Sequence, residues 1–319
     1  MVRSRGSILV IRGGAIGDFI LTLPVLTALR RAFTEVRLAL LGYPHIAGLA
    51  LAGGLVDEVR PIEARSLATF FCDQGTLADE FTAFFGGFDI ILSYLFDPDG
   101  IFQTNVRRCS AATFIQGPHR PDDSAGVHAT EVLLRPLERL AIFDADSLPR
   151  LTLTPRAVAE AQVPPRVTGR RLLAVHPGSG SERKNWPEAH WRELLSLASA
   201  DPSLDLLLVG GEAEAARLDR LAAMWPADRL HLARCLPLPL LAARLDGVDA
   251  FVGHDSGITH LAAALGVRGL VLWGETSEAV WRPRSERMRL LRAPSGLAKL
   301  DPAQVHDALR DLLARRENP

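Results

Sequence analysis

Three times in 319 residues a short apolar strand runs into a turn of small residues and then an apolar helix. The first instance is Ser7 to Arg12, then G-G-A-I-G-D, then a helix over Phe19 to Phe33. The second is Arg171 to Pro177, then G-S-G-S-E-R-K-N, then a helix opened by Trp186-Pro187-Glu188. The third is Ala250-Phe251-Val252, then G-H-D-S-G, then a helix ending in A-A-A-L. Continuous apolar strands alternating with helices predict parallel sheets covered on both faces, the doubly wound α/β plan. Further strands are expected at 36–42, 88–93, 205–210 and 269–274, with an edge strand at 56–59. Helices are expected at 63–86, 131–140, 213–223, from the Leu-Pro run at 236–241 to Leu245, and at 302–316. Pro24 should start or kink its helix, because it lacks an N–H. The proline- and alanine-rich stretch from Leu148 to Pro165 has linker composition. It divides the chain into a first domain, 1–155, and a second, 156–319.

A net charge of −1 argues against general nucleic-acid binding, which needs a basic field. Cys72, Cys109 and Cys235 are dispersed and form no C-x-x-C pair. A disulfide framework or structural zinc site is therefore not expected, and the reading is a reducing cytoplasm. The basic start, Met1 to Gly6, precedes an apolar run of only Ile8 to Ile11. That is neither a signal peptide nor a span, and no other run approaches the ~20 apolar residues that cross a bilayer. Contact with a membrane surface stays open.

The chemistry gathers in the three turns. A helix N-terminus presents unpaired N–H groups and partial positive charge, so Ser256 and Gly257 read as a seat for a phosphate or diphosphate. Lys184 follows the small-residue loop of Ser179 within reach of an anion bound there. Glu212, just past an expected strand end, suits ribose hydroxyls, although it also suits a helix start. Gly13, Gly14 and Gly17 allow close approach to the backbone. Asp18 after them points toward the crevice at the carboxyl end of a first parallel strand, where it either acts on a ligand or caps its helix. Asp97-Pro98-Asp99-Gly100 contains an Asp-x-Asp pattern compatible with a metal, but Pro-Asp-Gly is turn chemistry, and no metal site is assigned. The basic pair Arg107-Arg108 and the stretch His119-Arg120, with His128, lie in the same half, suited to an acidic acceptor or simply to a solvated surface. The first glycine loop departs from G-x-G-x-x-G, and no acid ends the second strand, which counts against a nicotinamide dehydrogenase.

Four segments together resemble glycosyltransferase family 9, the heptosyltransferases of lipopolysaccharide core assembly. They are I-L-V-I-R-G-G-A-I-G-D-F-I-L-T-L-P-V-L, H-P-G-S-G-S-E-R-K-N-W-P, G-H-D-S-G-I-T-H-L-A-A-A-L-G and W-G-E-T-S-E-A-V-W-R-P, in that order. The resemblance implies a GT-B fold: two doubly wound Rossmann-like domains facing each other across a cleft. The first would take the acceptor, the second the nucleotide-sugar, and the last helix, from Pro302 onward, would pack back on the first domain. Two positions depart from the family pattern. Gly13 replaces a larger apolar residue, and Asn185 replaces a second cation after Lys184.

The activity implied is inverting, metal-independent transfer of a sugar from a nucleotide diphosphate, with ADP-heptose as donor and no cofactor. Asp18 would be the general base, since a carboxylate is ionised at neutral pH. Lys184, Ser179, Ser256 and the N–H groups of Gly257 and Ile258 would stabilise the departing diphosphate. Glu212 would hold the ribose and Leu238 would line the adenine. Asp255 and His260 would either touch the sugar or only orient the turn. Gly14, Gly17, Arg107 and Arg120 would meet a lipopolysaccharide-core or other glycan acceptor, with the enzyme cytoplasmic or peripheral on the inner membrane. The alternatives are another GT-B enzyme, such as a UDP-sugar transferase or epimerase, and a non-catalytic nucleotide-sugar-binding protein.

Overall fold

The computed structural model describes residues 6–161, 163 and 167–314. The basic start at 1–5, part of the proline-rich stretch and the expected helix end at Arg316 lie outside the described residues. The chain divides between Pro149 and Arg150 into two compact units.

The first unit runs β1 (Ser7–Arg12), α1 (Ile16–Ile20), α2 (Leu23–Ala32), β2 (Arg37–Gly42), α3 (Pro44–Ala52), β3 (Glu58–Pro61), α4 (Asp79–Gly86), β4 (Ile90–Ser93), α5 (Ile101–Arg107), β5 (Thr113–Gln116) and α6 (Ala129–Leu134). Its five strands are parallel in the order β3-β2-β1-β4-β5. The apolar run of β1 explains its central place. Leu9, Val10 and Ile11 are fully buried, and burying a side chain of that size contributes about 1.5–3 kcal/mol. One face of the sheet packs on a phenylalanine cluster that includes Phe70, Phe81, Phe85 and Phe102. The rings of Phe70 and Phe85 meet edge to face at 4.9 Å.

The helix expected over Phe19–Phe33 is two helices. Thr22 Oγ1 donates to Asp18 O at 2.8 Å, and Pro24 sits in the first turn of α2, where its missing N–H costs nothing. The helix expected at 63–86 is likewise broken. A 3-10 turn covers Arg65–Phe71, and Gln74, at φ 54°, turns the chain before α4.

The second unit runs α7 (Pro155–Ala161), β6 (Arg171–His176), α8 (Glu188–Ser199), β7 (Leu204–Gly210), α9 (Ala215–Ala222), β8 (Leu230–Arg234), α10 (Leu238–Asp246), β9 (Ala250–His254), α11 (Gly257–Ala264), β10 (Gly269–Leu272), α12 (Glu278–Trp281), β11 (Met288–Leu291) and α13 (Pro302–Ala314). Six parallel strands lie in the order β11-β10-β9-β6-β7-β8. The expected doubly wound α/β architecture is thus found in each unit.

Two expectations are corrected. The unit boundary precedes the one read from composition, because the proline-rich stretch packs on the second unit. Leu151 and Leu153 are buried, Leu151 N donates to Ala264 O at 2.8 Å, and α7 packs on α10. The last helix was expected on the first domain. Instead the apolar face of α13 (Val305, Ala308, Leu309 and Leu313) completes the second unit's own core, against α8 and the β9–β10 side.

In each sheet the chain winds outward from a central strand and then restarts on its other side. The switch points are β1/β4 and β6/β9, the places where open parallel sheets take ligands at the strands' carboxyl ends.

Candidate functional site

The loops after β6 and β9 meet at the second unit's switch point. His176, ending β6, pairs with Gly253, one residue before β9 ends. Ser256 caps α11: its backbone is extended, and its hydroxyl accepts from Thr259 N at 3.3 Å. Gly257 and Ile258 form the first turn, so their N–H groups are among those a helix leaves without intrahelical partners. Opposite this helix end, the segment after β6 makes a 3-10 turn over Glu182–Lys184. Lys184 Nζ donates to Asp255 Oδ2 at 2.7 Å. The Asp255 side chain is 9% exposed and that of Lys184 38%, so the carboxylate is inside and the ammonium is at the rim. One buried acid thereby orients one accessible cation beside a helix N-terminus, the arrangement suited to a diphosphate. Ser179 Oγ lies 2.7 Å from Asn185 Oδ1, in the same loop.

Two buried histidines sit behind these groups. His254 Nε2 accepts from Trp186 N at 2.8 Å, and His254 Nδ1 lies 3.3 Å from Gly178 O. Burial pushes its pKa down to about 4. His176 Nδ1 is 3.3 Å from Ser256 Oγ; burial, then the neighbouring His254, pushes its pKa down to about 3. Both rings are neutral at pH 7. His260 is buried on α11, and Leu238 is buried at the start of α10. Glu212 is exposed in the turn after β7. Its neighbour Glu214 accepts from Gly211 N at 2.9 Å, and its carboxylate fills the space a side chain at Gly178 would need.

In the first unit Asp18 sits in the first turn of α1, after β1. Its Oδ2 accepts from Ala15 N at 3.0 Å. Oδ1 is 3.7 Å from Arg12 Nη2, and the side chain is 32% exposed. The carboxylate therefore caps its helix while one oxygen remains oriented by a cation. Gly14, at φ +97°, turns here, and a Cβ on it would stand 2.8 Å from Asp18 Oδ2, so glycine is required on both counts. Gly17 lies within α1. Arg107 ends α5, exposed; Arg120 pairs with Asp123 at 3.0 Å on the surface. Asp97 caps α5, accepting from Phe102 N and Gln103 N at 3.1 and 2.9 Å, as the turn reading expected.

Residues 120–304 match the model of glycosyltransferase family 9 (heptosyltransferase), more than half of the chain. The chain belongs to that family. A lipopolysaccharide heptosyltransferase 1 from Pseudomonas aeruginosa is 42% identical over 109 residues, 33% of this chain and 29% of that protein. The chain spans less than half the length of the curated relatives it matches. Among solved structures, a family 9 glycosyltransferase from Veillonella parvula superposes with a TM-score of 0.78 at 18% identity, covering 98% of each chain. Escherichia coli heptosyltransferase WaaC with ADP gives 0.75 at 20% identity, covering 96% of this chain and 99% of that one. These likenesses carry the fold.

For this family 9 chain, sequence reasoning brought Lys184, Asp255, Ser256 and Gly257 forward, and the fold puts them side by side. It missed Arg12. Its guanidinium is buried and donates to His119 O at 2.8 Å and to Asp18 O at 3.2 Å, with Asp18 Oδ1 nearby. Burial lowers its pKa, and the Asp18 carboxylate opposes that shift. The available signal was an arginine ending an otherwise apolar central strand. His254 was missed too, as one polar letter in a turn. Among the described residues, no helix is long and apolar enough to cross a membrane.

Proposed function

We propose that this family 9 protein transfers heptose from ADP-heptose to a lipopolysaccharide-core acceptor, with inversion at the anomeric carbon and without a metal. The observation that carries the reading is the Lys184–Asp255 pair at 2.7 Å beside the N-terminus of α11, at the β6/β9 switch point. The ammonium and the first-turn N–H groups offset the charge that grows on the departing diphosphate, which is where such groups lower a barrier. Ser179 and Ser256 add hydroxyl donors. Asp255 orients Lys184 and, being an acid beside a polyanion, does not itself face the phosphates. Glu212 is assigned the ribose, Leu238 the adenine and His260 the shape of the α11 turn.

Asp18 is the base. It takes the proton from the acceptor hydroxyl as the oxygen attacks the anomeric carbon and the nucleoside diphosphate leaves. Arg12, with Nη2 3.7 Å from Asp18 Oδ1, aims the carboxylate. Gly14, Gly17, Arg107 and Arg120 belong to the acceptor side. The working place is the cytoplasmic face of the inner membrane, where such an acceptor is made. The relatives named lipopolysaccharide heptosyltransferase 1 and the WaaC structure with ADP support the choice of nucleotide and sugar.

The test is direct. Purified protein is incubated with ADP-heptose and heptose-deficient lipopolysaccharide, with and without EDTA, and ADP release and glycolipid mass are followed. The expected result is one heptose added, an inverted anomeric linkage by NMR, and no loss with EDTA. Thermal stabilisation by UDP in preference to ADP would move the protein to a UDP-sugar enzyme.

A further inference from the structure

Lys184 and Ser179 address a diphosphate only if the segment carrying them, Gly178 to Trp186, keeps one pose. Its middle is held at the surface: Ser179 Oγ reaches Ser181 O and Asn185 Oδ1 at 2.8 and 2.7 Å, and Arg217 Nη2 donates to both Glu182 carboxylate oxygens at 3.1 and 2.9 Å. Gly180 to Arg183 is exposed, and the regular structure is a single 3-10 turn at Glu182–Lys184. Both ends, however, are tied to one side chain. His254 Nε2 accepts from Trp186 N at 2.8 Å, and Nδ1 faces Gly178 O at 3.3 Å. A backbone N–H only donates, so Nε2 carries no proton; the ring's one proton is on Nδ1 and is donated to the Gly178 carbonyl. The ring is itself fixed. It is fully buried, it meets Trp191 edge to face at 5.3 Å, and its own carbonyl accepts from Thr259 Oγ1 of α11. The next residue is Asp255, the partner of Lys184.

We propose that His254 is a positioning residue for the donor diphosphate: its imidazole fastens both ends of the 178–186 segment and so aims Lys184 and Ser179 at the N-terminus of α11. This rests on the donor-site reading above and extends it to a group that touches no substrate. The neutral, tautomerically fixed ring matters because it serves as acceptor at one end and donor at the other. An apolar side chain would do neither, and would leave two buried backbone groups unpaired.

The experiment separates the two ties in the full chain. His254→Asn keeps a donor near the Nδ1 position and loses the tie to Trp186. His254→Gln keeps an acceptor near Nε2 and loses the tie to Gly178. His254→Phe retains a ring and loses both. Amide hydrogen exchange over 179–186 is measured without ligand, and Kd is measured for ADP and for adenosine. Exchange is expected to quicken in all three variants, most in His254→Phe. The Kd for ADP should rise about tenfold in His254→Phe, the effect of one misplaced charged hydrogen bond, and less in the other two. Adenosine, which carries no phosphate, should bind all of them as it binds wild type. In a Lys184→Ala background the His254→Phe change should weaken ADP far less, because the ammonium to be aimed is gone. Equal losses for ADP and adenosine, or full additivity with Lys184→Ala, would overturn the proposal. So would unchanged loop exchange. If His254→Phe does not fold, the Asn and Gln variants carry the same comparison. Wild-type protein that fails to bind ADP overturns the donor reading and this one with it; wild type that binds ADP while the variants match it overturns only the role of His254.

Discussion

In the proposed mechanism Asp18 holds two jobs in one carboxylate, cap and base, and they respond to different substitutions. Oδ2 caps α1 through Ala15 N, whereas Oδ1 lies toward Arg12. Asp18→Asn keeps an oxygen for the cap and removes the base. Turnover is expected to fall by at least about 10²-fold. The Kd for ADP should not move, and Tm should stay within about 2 °C of wild type. A variant with wild-type turnover would leave Asp18 as a cap alone. Lys184 differs because its partner is buried. Lys184→Ala strips the Asp255 carboxylate of its cation and, on the proposed donor site, is expected to remove a charged contact to the diphosphate, about 1.5–3 kcal/mol of binding. The double variant Lys184→Ala, Asp255→Asn should therefore bind ADP more tightly than Lys184→Ala alone, as calorimetry would show. Both residues were readable from type and spacing. Arg12 and His254 were not, because their roles depend on partners distant in the chain, His119 and Trp186.

At the scale of elements, β6 and β9 each end in a histidine that burial keeps neutral. Folded-state values near 3 and 4 lie below the ~6.5 of an unfolded histidine. Below pH 6.5 the unfolded chain therefore binds more protons than the folded one. The stability these rings contribute is complete above about pH 6.5 and falls as pH drops toward 4, by up to about 1.4 kcal/mol per pH unit for each ring. Urea unfolding followed from pH 7 to pH 5 should show the decline, and His254→Gln should flatten it. Elements were legible where burial is two-sided. The interior strands β1, β7 and β9 each carry a continuous apolar run, Ile8–Ile11, Leu206–Val209 and Ala250–Val252. The edge strands β5, β8 and β11 do not: each is short and partly exposed, so its hydrophobic pattern is diluted. Helix α3 escaped for the opposite reason. P-H-I-A-G-L-A-L-A is apolar nearly all round and shows no helical period.

For the whole molecule, each unit closes its own core. The phenylalanine cluster serves the first, while Trp186, Trp191 and Trp225 with the leucines of α8 and α13 serve the second. The family match begins only at residue 120, so it covers the second unit nearly throughout and leaves Asp18 outside. ADP at one hundred times its Kd should stabilise the chain by about 2.7 kcal/mol. In hydrogen exchange the added protection should centre on the 178–186 segment and the start of α11. Protection spread equally over β1 to β5 would contradict a donor site confined to the second unit.

From the residue string alone, what could be known was local: where apolar runs become strands, where small residues turn the chain, and which helix begins bare of side chains at Gly257. Short-range sterics and hydrogen bonding dictate those features, and neighbours in sequence suffice to read them. Which strands lie side by side was decided only on folding. With it came the meeting of Lys184 with Asp255, 71 residues apart, and of Trp186 with His254, 68 apart. Equally apolar strands are interchangeable in a one-dimensional pattern; winding outward from β6 and restarting at β9 is what brought those two turns together.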